Sequence, residues 1–343
     1  MTRTQVTRTK ESYMGQGGDT RPQSAFPIPH PALPRQVSLS SMWAVQRCES
    51  AGDFVRQALD LGFTHIEANY QLTPRMVSEL LALPTPPVLS VHSPCPSQLV
   101  REGLWSYKIP LNAPDPAERA LALGFAESAI ELAARLHARA VVLHLGEVPQ
   151  PPIDGSAETL QAKLRWLYQQ GAVNTPEYAE TRAAMFAWRD KERGPHLELA
   201  AASLRVLAKK ASELGLILGL ETRYYFHEIP NYEEMGWLLS EYPVNVVGYW
   251  HDVGHAENLE RLGSTLHERW LASYADRMVG VHIHDINVLK DHHAPGTGNL
   301  DYSMIARHLP PQAIRVCEID TRHDPELLRA GLRRLTETGI IAG

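Results

Sequence analysis

Four successive apolar runs in the second half of this chain each end in a side chain that coordinates metal ions well. The residues at the four ends are Glu221, Asp252, His282 and Glu318. They follow one another at steps of 31, 30 and 36 residues. A unit of one short strand and one helix has about this length in a (β/α)8 barrel, whose functional groups collect where the strands end. The spacing therefore predicts an α/β fold, a TIM barrel, with an oxygen-rich divalent-metal site at one rim.

The composition suits one domain of this kind. At 343 residues and 44% hydrophobic content, a single barrel of about 250 residues with additions fits better than two domains. The net charge of −6 offers no general basic face for nucleic acid, although it leaves a local patch open. No apolar run approaches the roughly 18 residues of a membrane span, so no membrane partner is expected.

Cysteine usage and the N-terminus indicate a cytoplasmic protein. Cys48, Cys95 and Cys317 are odd in number and share no CxxC spacing, which suits a reducing cytosol. The first residues lack the apolar core of a secretory signal. They are rich in Thr and Arg, as transit peptides are, but we favour a flexible extension.

The chain divides into an extension and a barrel. Residues 1–35 are rich in Gly and Pro and cannot bury enough apolar surface to fold, so they are predicted to be flexible. Residues 36–343 are predicted to form the barrel, with helical patterns between its strands. The predicted strands are Gln36–Ser40, His65–Asn69, Val88–His92, Ala140–Leu145, Leu216–Glu221, Val246–His251, Val279–His284 and Arg315–Ile319.

A long link separates the fourth and fifth predicted strands. Residues 146–195 begin with a Pro-rich stretch and continue as a helical pattern that carries several aromatic side chains. Because the link follows a strand's carboxyl end, we predict a helical insertion over the active face. It would serve either as a wall or lid of the site or as an extra pair of packing helices.

Strand alternation predicts which side chains enter the barrel. From Val279 to His284 the odd-numbered residues are apolar and are expected to face the helices. Gly280, His282 and His284 then face the barrel interior.

The same rule applies to the other strands. It turns His92 away from Leu89 and Val91, toward the barrel. Clustered carboxylates repel one another, and buried charges must be paired or metal-bound, so packing alone is a poor explanation for such a rim. The side chains expected to meet there are His92, His144, Glu221, Asp252, His282 and Glu318.

Two further polar segments follow the sixth and seventh strands. His255 stands three residues after Asp252, on the turn that leaves its strand. Asp291, His292 and His293 precede a glycine-containing turn, and the histidines are placed to reach a metal or an anionic substrate.

Five segments of the chain resemble the xylose isomerase-like barrels. That superfamily joins the sugar phosphate isomerase/epimerase group with the endonuclease IV-type apurinic endonucleases, and the similarity spans about residues 36–330. The segments are LET at 220–222, HDVGHA at 251–256, VHIHD at 281–285, HHAPGTGNLDY at 292–302 and CEID at 317–320.

The resemblance to the isomerases and epimerases implies a set of roles. There, the residues that match Glu221, Asp252, His282 and Glu318 hold one Mn²⁺, Mg²⁺ or Co²⁺ ion. The glutamates that match Glu221 and Glu318 also move the substrate proton. The histidine that matches His255 helps to hold the substrate.

The resemblance to the endonuclease branch implies additional zinc ligands. His92 and His144 match two of them, and His255 and His292 match two ligands of a third zinc ion. Lys290 stands where that branch has a carboxylate ligand, with Asp291 one residue away. We therefore expect one core metal site and leave a second site open.

Three hypotheses follow for the function. The first is an isomerase or epimerase of a sugar, sugar phosphate or polyol, in which Glu221 and Glu318 act as acid and base. The second is a zinc phosphodiesterase acting on abasic DNA. The third is a binding protein that keeps the metal for structure, and the fold also hosts lyases and dehydratases.

Charge, candidate ligands and the aromatic insertion distinguish these hypotheses. His92 and His144 favour the phosphodiesterase, whereas Lys290 and the acidic balance do not. The loop after the second strand offers only Arg75 to contact DNA. The aromatic insertion suits a closed pocket, so a small carbohydrate is the predicted partner in preference to nucleic acid, which stays open as the alternative. Pairing of two barrels as a homo-oligomer is left open.

Several residues receive smaller roles. Arg223 is expected to bind a phosphate or hydroxyl of the substrate, although a loop arginine is more often solvated. His284 and His293 are predicted to bind the substrate. The alternative role of His284 is to support a metal-ligating side chain. Glu67 either lines the rim or orients a neighbouring ligand.

Overall fold

The computed structural model describes residues 36–153 and 158–341, so the predicted extension over 1–35 lies outside the described residues. The described residues form a closed barrel of eight parallel strands. The predicted (β/α)8 TIM barrel is therefore confirmed. The strands are β1 (Ser38–Ser40), β2 (His65–Ala68), β3 (Val88–His92), β4 (Ala140–Leu143), β5 (Ile217–Glu221), β6 (Val247–Asp252), β7 (Met278–Ile283) and β8 (Ile314–Cys317).

Each strand pairs with its neighbours along the chain, and the first and last strands close the barrel. Ser38 of β1 lies opposite Val316 of β8, and the opposite edge of β1 pairs with β2. Every strand end differs from its predicted position by two residues or fewer. Since all eight strands are parallel, their carboxyl ends meet at one rim.

Ten α-helices lie within the described ranges. Most begin at a polar side chain that accepts a hydrogen bond from the first turn, such as Asp115 before α3 and Asn231 before α6. None of the described helices is both long enough and apolar enough to cross a membrane. The helices are α1 (Ala51–Leu61), α2 (Pro74–Leu81), α3 (Pro116–Arg135), α4 (Leu160–Gln169), α5 (Pro176–Glu213), α6 (Tyr232–Ser240), α7 (Val253–Arg261), α8 (His267–Tyr274), α9 (Tyr302–His308) and α10 (Pro325–Glu337).

The segment predicted as an insertion contains α4 and the first half of α5. Pro195 lacks a backbone N–H, but the helix α5 continues through it. The segment therefore joins the helix of the fourth repeat without a break. Arg189 of α5 is buried and donates through both terminal nitrogens to Glu234, at 2.7 and 2.8 Å. Arg165 of α4 donates to the Tyr224 hydroxyl at 2.5 Å. These contacts attach both helices to the chain that follows β5.

Bulges in two strands change which residues fill the barrel. The pairing register shifts where β2 meets β3 and where β6 meets β7. Leu89 and Val279, predicted to face the helices, pack instead with Trp250 inside the barrel. Each lies at a shifted register, and an extra residue in one strand reverses the alternation locally. Beyond the bulges the predicted parity resumes, and His92 and His282 project into the barrel rim.

Glycine at position 280 leaves room for the buried Trp250 ring, and a larger residue should destabilise the barrel. A Cβ at this position would lie 2.2 Å from Trp250 Cζ3. Because Trp250 is fully buried, Gly280→Ala should cost about 1–3 kcal/mol of unfolding free energy, as overpacking does. Urea denaturation measures the change. Gly124→Ala in α3 is the control, since nothing lies within 4 Å of a Cβ there.

Candidate metal centre

Four side chains converge where β5, β6, β7 and β8 end. Ligand atoms of Glu221, Asp252, His282 and Glu318 all lie within 4.8 Å of one another, and all four residues are buried. The His282 Nδ1 atom lies 2.6 Å from Glu221 Oε1, 3.3 Å from Glu318 Oε2 and 3.6 Å from Asp252 Oδ2. We call these four residues the core cluster. Its three carboxylates and one imidazole are a donor set for divalent Mn, Mg, Co or Zn.

A second cluster shares Glu221 with the core cluster. His92 ends β3 and His144 follows β4, and both imidazoles face Glu221 Oε2. The His92 Nε2 atom lies 3.7 Å from that oxygen, and the His144 ring contacts it directly. Because Glu221 presents Oε1 to His282 and Oε2 to this histidine cluster, its carboxylate can bridge two ions.

A third cluster lies beside the core cluster and includes Asp291, which the family resemblance placed one residue away from the carboxylate position. His255 Nε2 lies 3.5 Å from Asp291 Oδ2, and His292 Nε2 lies 3.8 Å from the same oxygen. The sequence comparison assigned Lys290 to the carboxylate position, but Lys290 is exposed and Asp291 faces the two histidines. His292 has a φ of 56° and lies in a short antiparallel hairpin, formed by Asp285–Asn287 and Lys290–His293, that follows β7.

Buried charge dominates the electrostatics of the core cluster. Burial opposes ionisation of Glu221, but His144 and His282 outweigh it and hold its pKa well below the usual value. Burial opposes protonation of His282, yet neighbouring carboxylates, Glu318 first, raise its pKa well above the usual value. Burial also opposes the charge of Asp252, and adjacent imidazoles keep its pKa well below normal. The carboxylates need positive partners, and a divalent ion would supply that charge while leaving the imidazole neutral.

Glu67 and Asn69, at the end of β2, form hydrogen bonds with members of the core cluster. Glu67 Oε1 lies 3.2 Å from His282 Nε2, and the Ser90 hydroxyl donates to Glu67 Oε2 at 2.7 Å. Asn69 Nδ2 donates to Glu318 Oε1 at 3.2 Å. Of the two roles considered for Glu67, this position favours orientation of a neighbouring ligand. The support of Glu318 by Asn69 was missed, because 249 residues separate the two in sequence.

Replacement of Glu67 by Gln should weaken metal binding without removing a ligand. Gln keeps the size of the side chain but replaces the carboxylate that faces His282 Nε2. Loss of such a supporting contact typically costs about 10–100-fold in metal affinity. Competition with a chromophoric chelator measures the apparent Kd for Mn²⁺ or Zn²⁺. The control is Glu79→Gln, since the partners of Glu79 are the backbone N–H of Ala51 and the side chain of Arg75. An unchanged Kd for Glu67→Gln would contradict the proposed role of Glu67 in orienting His282.

The remaining predicted residues occupy different places around the clusters. Arg223 donates to Glu221 Oε2 at 2.9 Å and to Glu228 Oε1 at 2.6 Å. His284 is fully buried, with Nε2 at 3.1 Å from Asp252 Oδ1, which favours its supporting role. His293 packs against His323, with ring centres 5.2 Å apart.

A cavity of about 560 Å³ opens beside the histidine cluster. That volume falls in the range of small-molecule sites. Its polar wall includes His92, His144 and Arg223, and it continues between α3 and the chain that precedes this helix.

The closed parallel barrel, with buried carboxylates and imidazoles at one rim, agrees with the predicted xylose isomerase-like class of TIM barrels. Residues 171–338 match the sequence model described as the xylose isomerase-like TIM barrel, so this part of the chain belongs to that family. No curated protein matches the chain significantly by sequence.

Solved structures support the same fold. A 3-keto-D-glucoside 4-epimerase from E. coli is 18% identical with a TM-score of 0.61, covering 88% of this chain and 99% of its own. The D-psicose 3-epimerase from Clostridium cellulolyticum, solved with D-tagatose, is 15% identical with a TM-score of 0.59, covering 89% and 99%. The IOLI protein with a binding zinc atom is 12% identical with a TM-score of 0.57, covering 89% and 98%. At these identities the similarity establishes the fold.

Proposed function

We propose that the protein is a divalent-metal-dependent isomerase or epimerase of a sugar, sugar phosphate or related polyol. The observation that carries the proposal is the convergence of Glu221 and Glu318 with Asp252 and His282 within 4.8 Å. The epimerases among the similar structures support the substrate class. The cavity beside the cluster has the size of a small-molecule site.

The two glutamates are proposed to move the proton. They approach from β5 and β8, with β6 and β7 between them, so a substrate carbon held in this space would lie between two carboxylates. A bound divalent ion would polarise the adjacent carbonyl and hydroxyl of the substrate. One glutamate then takes a proton from the carbon, and the other returns a proton. Asn69 orients Glu318 for this transfer through its 3.2 Å hydrogen bond.

Other side chains are proposed to hold the substrate. His92, His144 and Arg223 line the cavity and present hydrogen-bonding groups suited to sugar hydroxyls. His255 donates from its Nδ1–H to the backbone carbonyl of Thr222 at 2.8 Å, which leaves its Nε2 atom facing Asp291. Its proposed role is to hold either the substrate or a further ion.

Exchange with solvent tests the proton transfer directly. The protein loaded with Mn²⁺ or Co²⁺ is incubated in D2O with a panel of ketohexoses, ketopentoses, their phosphates and 3-keto-glycosides. Deuterium should appear on a carbon next to the carbonyl of at least one sugar, as detected by NMR. Chelation should stop the exchange, and added metal should restore it. A metal-loaded protein that exchanges none of these sugars would count against the proposal and favour a purely structural metal.

One observation favours a second function, a zinc phosphodiesterase acting on abasic DNA. Glu221 faces two clusters, and the cluster of His255, Asp291 and His292 offers a third position for an ion. Neighbouring metal ions activate water and stabilise the leaving oxygen in phosphodiester hydrolysis. Incision of an abasic-site duplex by the zinc-loaded protein, with two or more zinc ions per chain, would favour this function over the first.

A further inference from the structure

The cavity beside the histidine cluster has two chemically different ends. At one end are the imidazoles of His92 and His144, the guanidinium of Arg223 and the carboxylate of Glu228. These groups offer hydrogen-bond donors and acceptors close to the core cluster. This polar end can engage the hydroxyls of a sugar.

Most of the remaining cavity wall is apolar, and the exposed charged residues Lys108 and Glu147 also line it. The apolar part is lined by Ile109 and Leu111, which precede α3, and by Ala122, Phe125 and Ala126 on the first half of that helix. Ile109, Leu111, Ala122 and Ala126 are buried, and Phe125 is half-buried. A free monosaccharide carries hydroxyls on nearly every carbon and would lose their hydration against such a wall.

Three neighbouring rings line the cavity, beginning at His92. The rings of His92 and Tyr70 have centres 6.2 Å apart and meet edge-on at 68°, whereas those of Tyr70 and Tyr107 have centres 5.1 Å apart and are tilted by 31°. Tyr70 and Tyr107 therefore offer the more nearly parallel ring faces to a planar group bound in the cavity.

We propose that the substrate is a keto sugar that carries an apolar planar substituent, such as the aryl aglycone of a keto-glycoside, whose ring ketone acidifies the neighbouring C–H. The proposal rests on the proposed sugar chemistry of the same site. The sugar lies at the polar end, and the substituent extends along Tyr70 and Tyr107 to Phe125 and Ala126. This arrangement matches the polarity of each end and uses a cavity of about 560 Å³. Phe125 and Ala126 are then specificity-determining residues.

Matched glycosides test this arrangement. Phenyl and methyl D-glucosides and D-galactosides, in both anomeric forms, lack the ketone and therefore bind without reacting. They are titrated by calorimetry into the full chain loaded with Mn²⁺. In at least one matched pair the phenyl glycoside should bind roughly tenfold tighter or more, as expected for burial of an aromatic ring. The methyl glycoside of the same pair reports on the polar end alone.

Variants of α3 identify the position of the phenyl group. Phe125→Ala should reduce the phenyl advantage to about twofold while leaving the affinity for the methyl glycoside unchanged. Ala126→Leu, which narrows the same end, should have the same effect and provides a second variant if Phe125→Ala does not fold. Leu121→Ala is the control, because Leu121 lies on α3, is 46% exposed and does not line the cavity.

The outcomes separate this inference from the proposed function. A phenyl advantage lost in the Phe125 or Ala126 variant, and kept in the Leu121 variant, supports the inference. Sugars that bind or exchange with no phenyl advantage, or an advantage unaffected by both variants, overturn the inference alone. If no sugar or glycoside binds or exchanges, the proposed function fails and this inference fails with it.

Discussion

Glu221→Gln is expected to reduce sugar exchange by on the order of 10³-fold, within the range of lost acid–base catalysis. Glu221 also faces His282 of the core cluster with Oε1 and both imidazoles of the histidine cluster with Oε2. Its replacement should therefore lower the metal content of the purified protein as well. Single-turnover deuterium exchange and elemental analysis measure the two effects separately.

Glu318→Gln separates proton transfer from metal binding. Glu318 belongs to the core cluster and accepts a hydrogen bond from Asn69, and of the two imidazoles of the histidine cluster it lies close to that of His92. This variant should lose exchange to a similar extent while keeping more of its metal than Glu221→Gln. Glu326→Gln is the matched control, since its carboxylate is exposed and contacts Arg329. Full activity in either cluster variant would disprove the proposed roles of the glutamates.

The double change of His92→Ala with His144→Ala is expected to keep one ion at the core cluster and to weaken sugar binding about 10–100-fold. Both imidazoles face Oε2 of Glu221, whereas Oε1 faces His282, so the core donor set stays complete. The weaker binding reflects the loss of two hydrogen-bonding groups from the polar end of the cavity. Elemental analysis gives the ion count, and calorimetry gives the affinity.

The same double change separates the two candidate functions. A phosphodiesterase should lose a zinc ion and its incision of abasic-site DNA, because removal of a ligand costs far more than removal of a peripheral contact. His137→Ala with His308→Ala is the control, since both residues lie near the amino ends of the barrel strands, away from the clusters. If the double variant loses both a zinc ion and the incision of abasic-site DNA, the phosphodiesterase function is favoured over the sugar reaction.

The repeat of apolar runs was sufficient to predict the barrel and the rim where the core cluster lies. Strand period and strand–helix length are local properties of the chain, and parallel strands bring their carboxyl ends together whatever their other contacts. For that reason Glu221, Asp252, His282 and Glu318 could be grouped before any coordinates. Bounds of the strands were predictable on the same grounds.

Other features depend on contacts between distant segments. The inward turn of Leu89 and Val279 arises from the register between neighbouring strands, which no single strand's pattern encodes. Asp291 reaches His255 because the hairpin that carries Asp291 lies against α7, and a motif alignment does not contain this packing. Local alternation is set by each residue and its neighbours in sequence, whereas register, hairpin position and the two-ended cavity are set by packing across the folded chain.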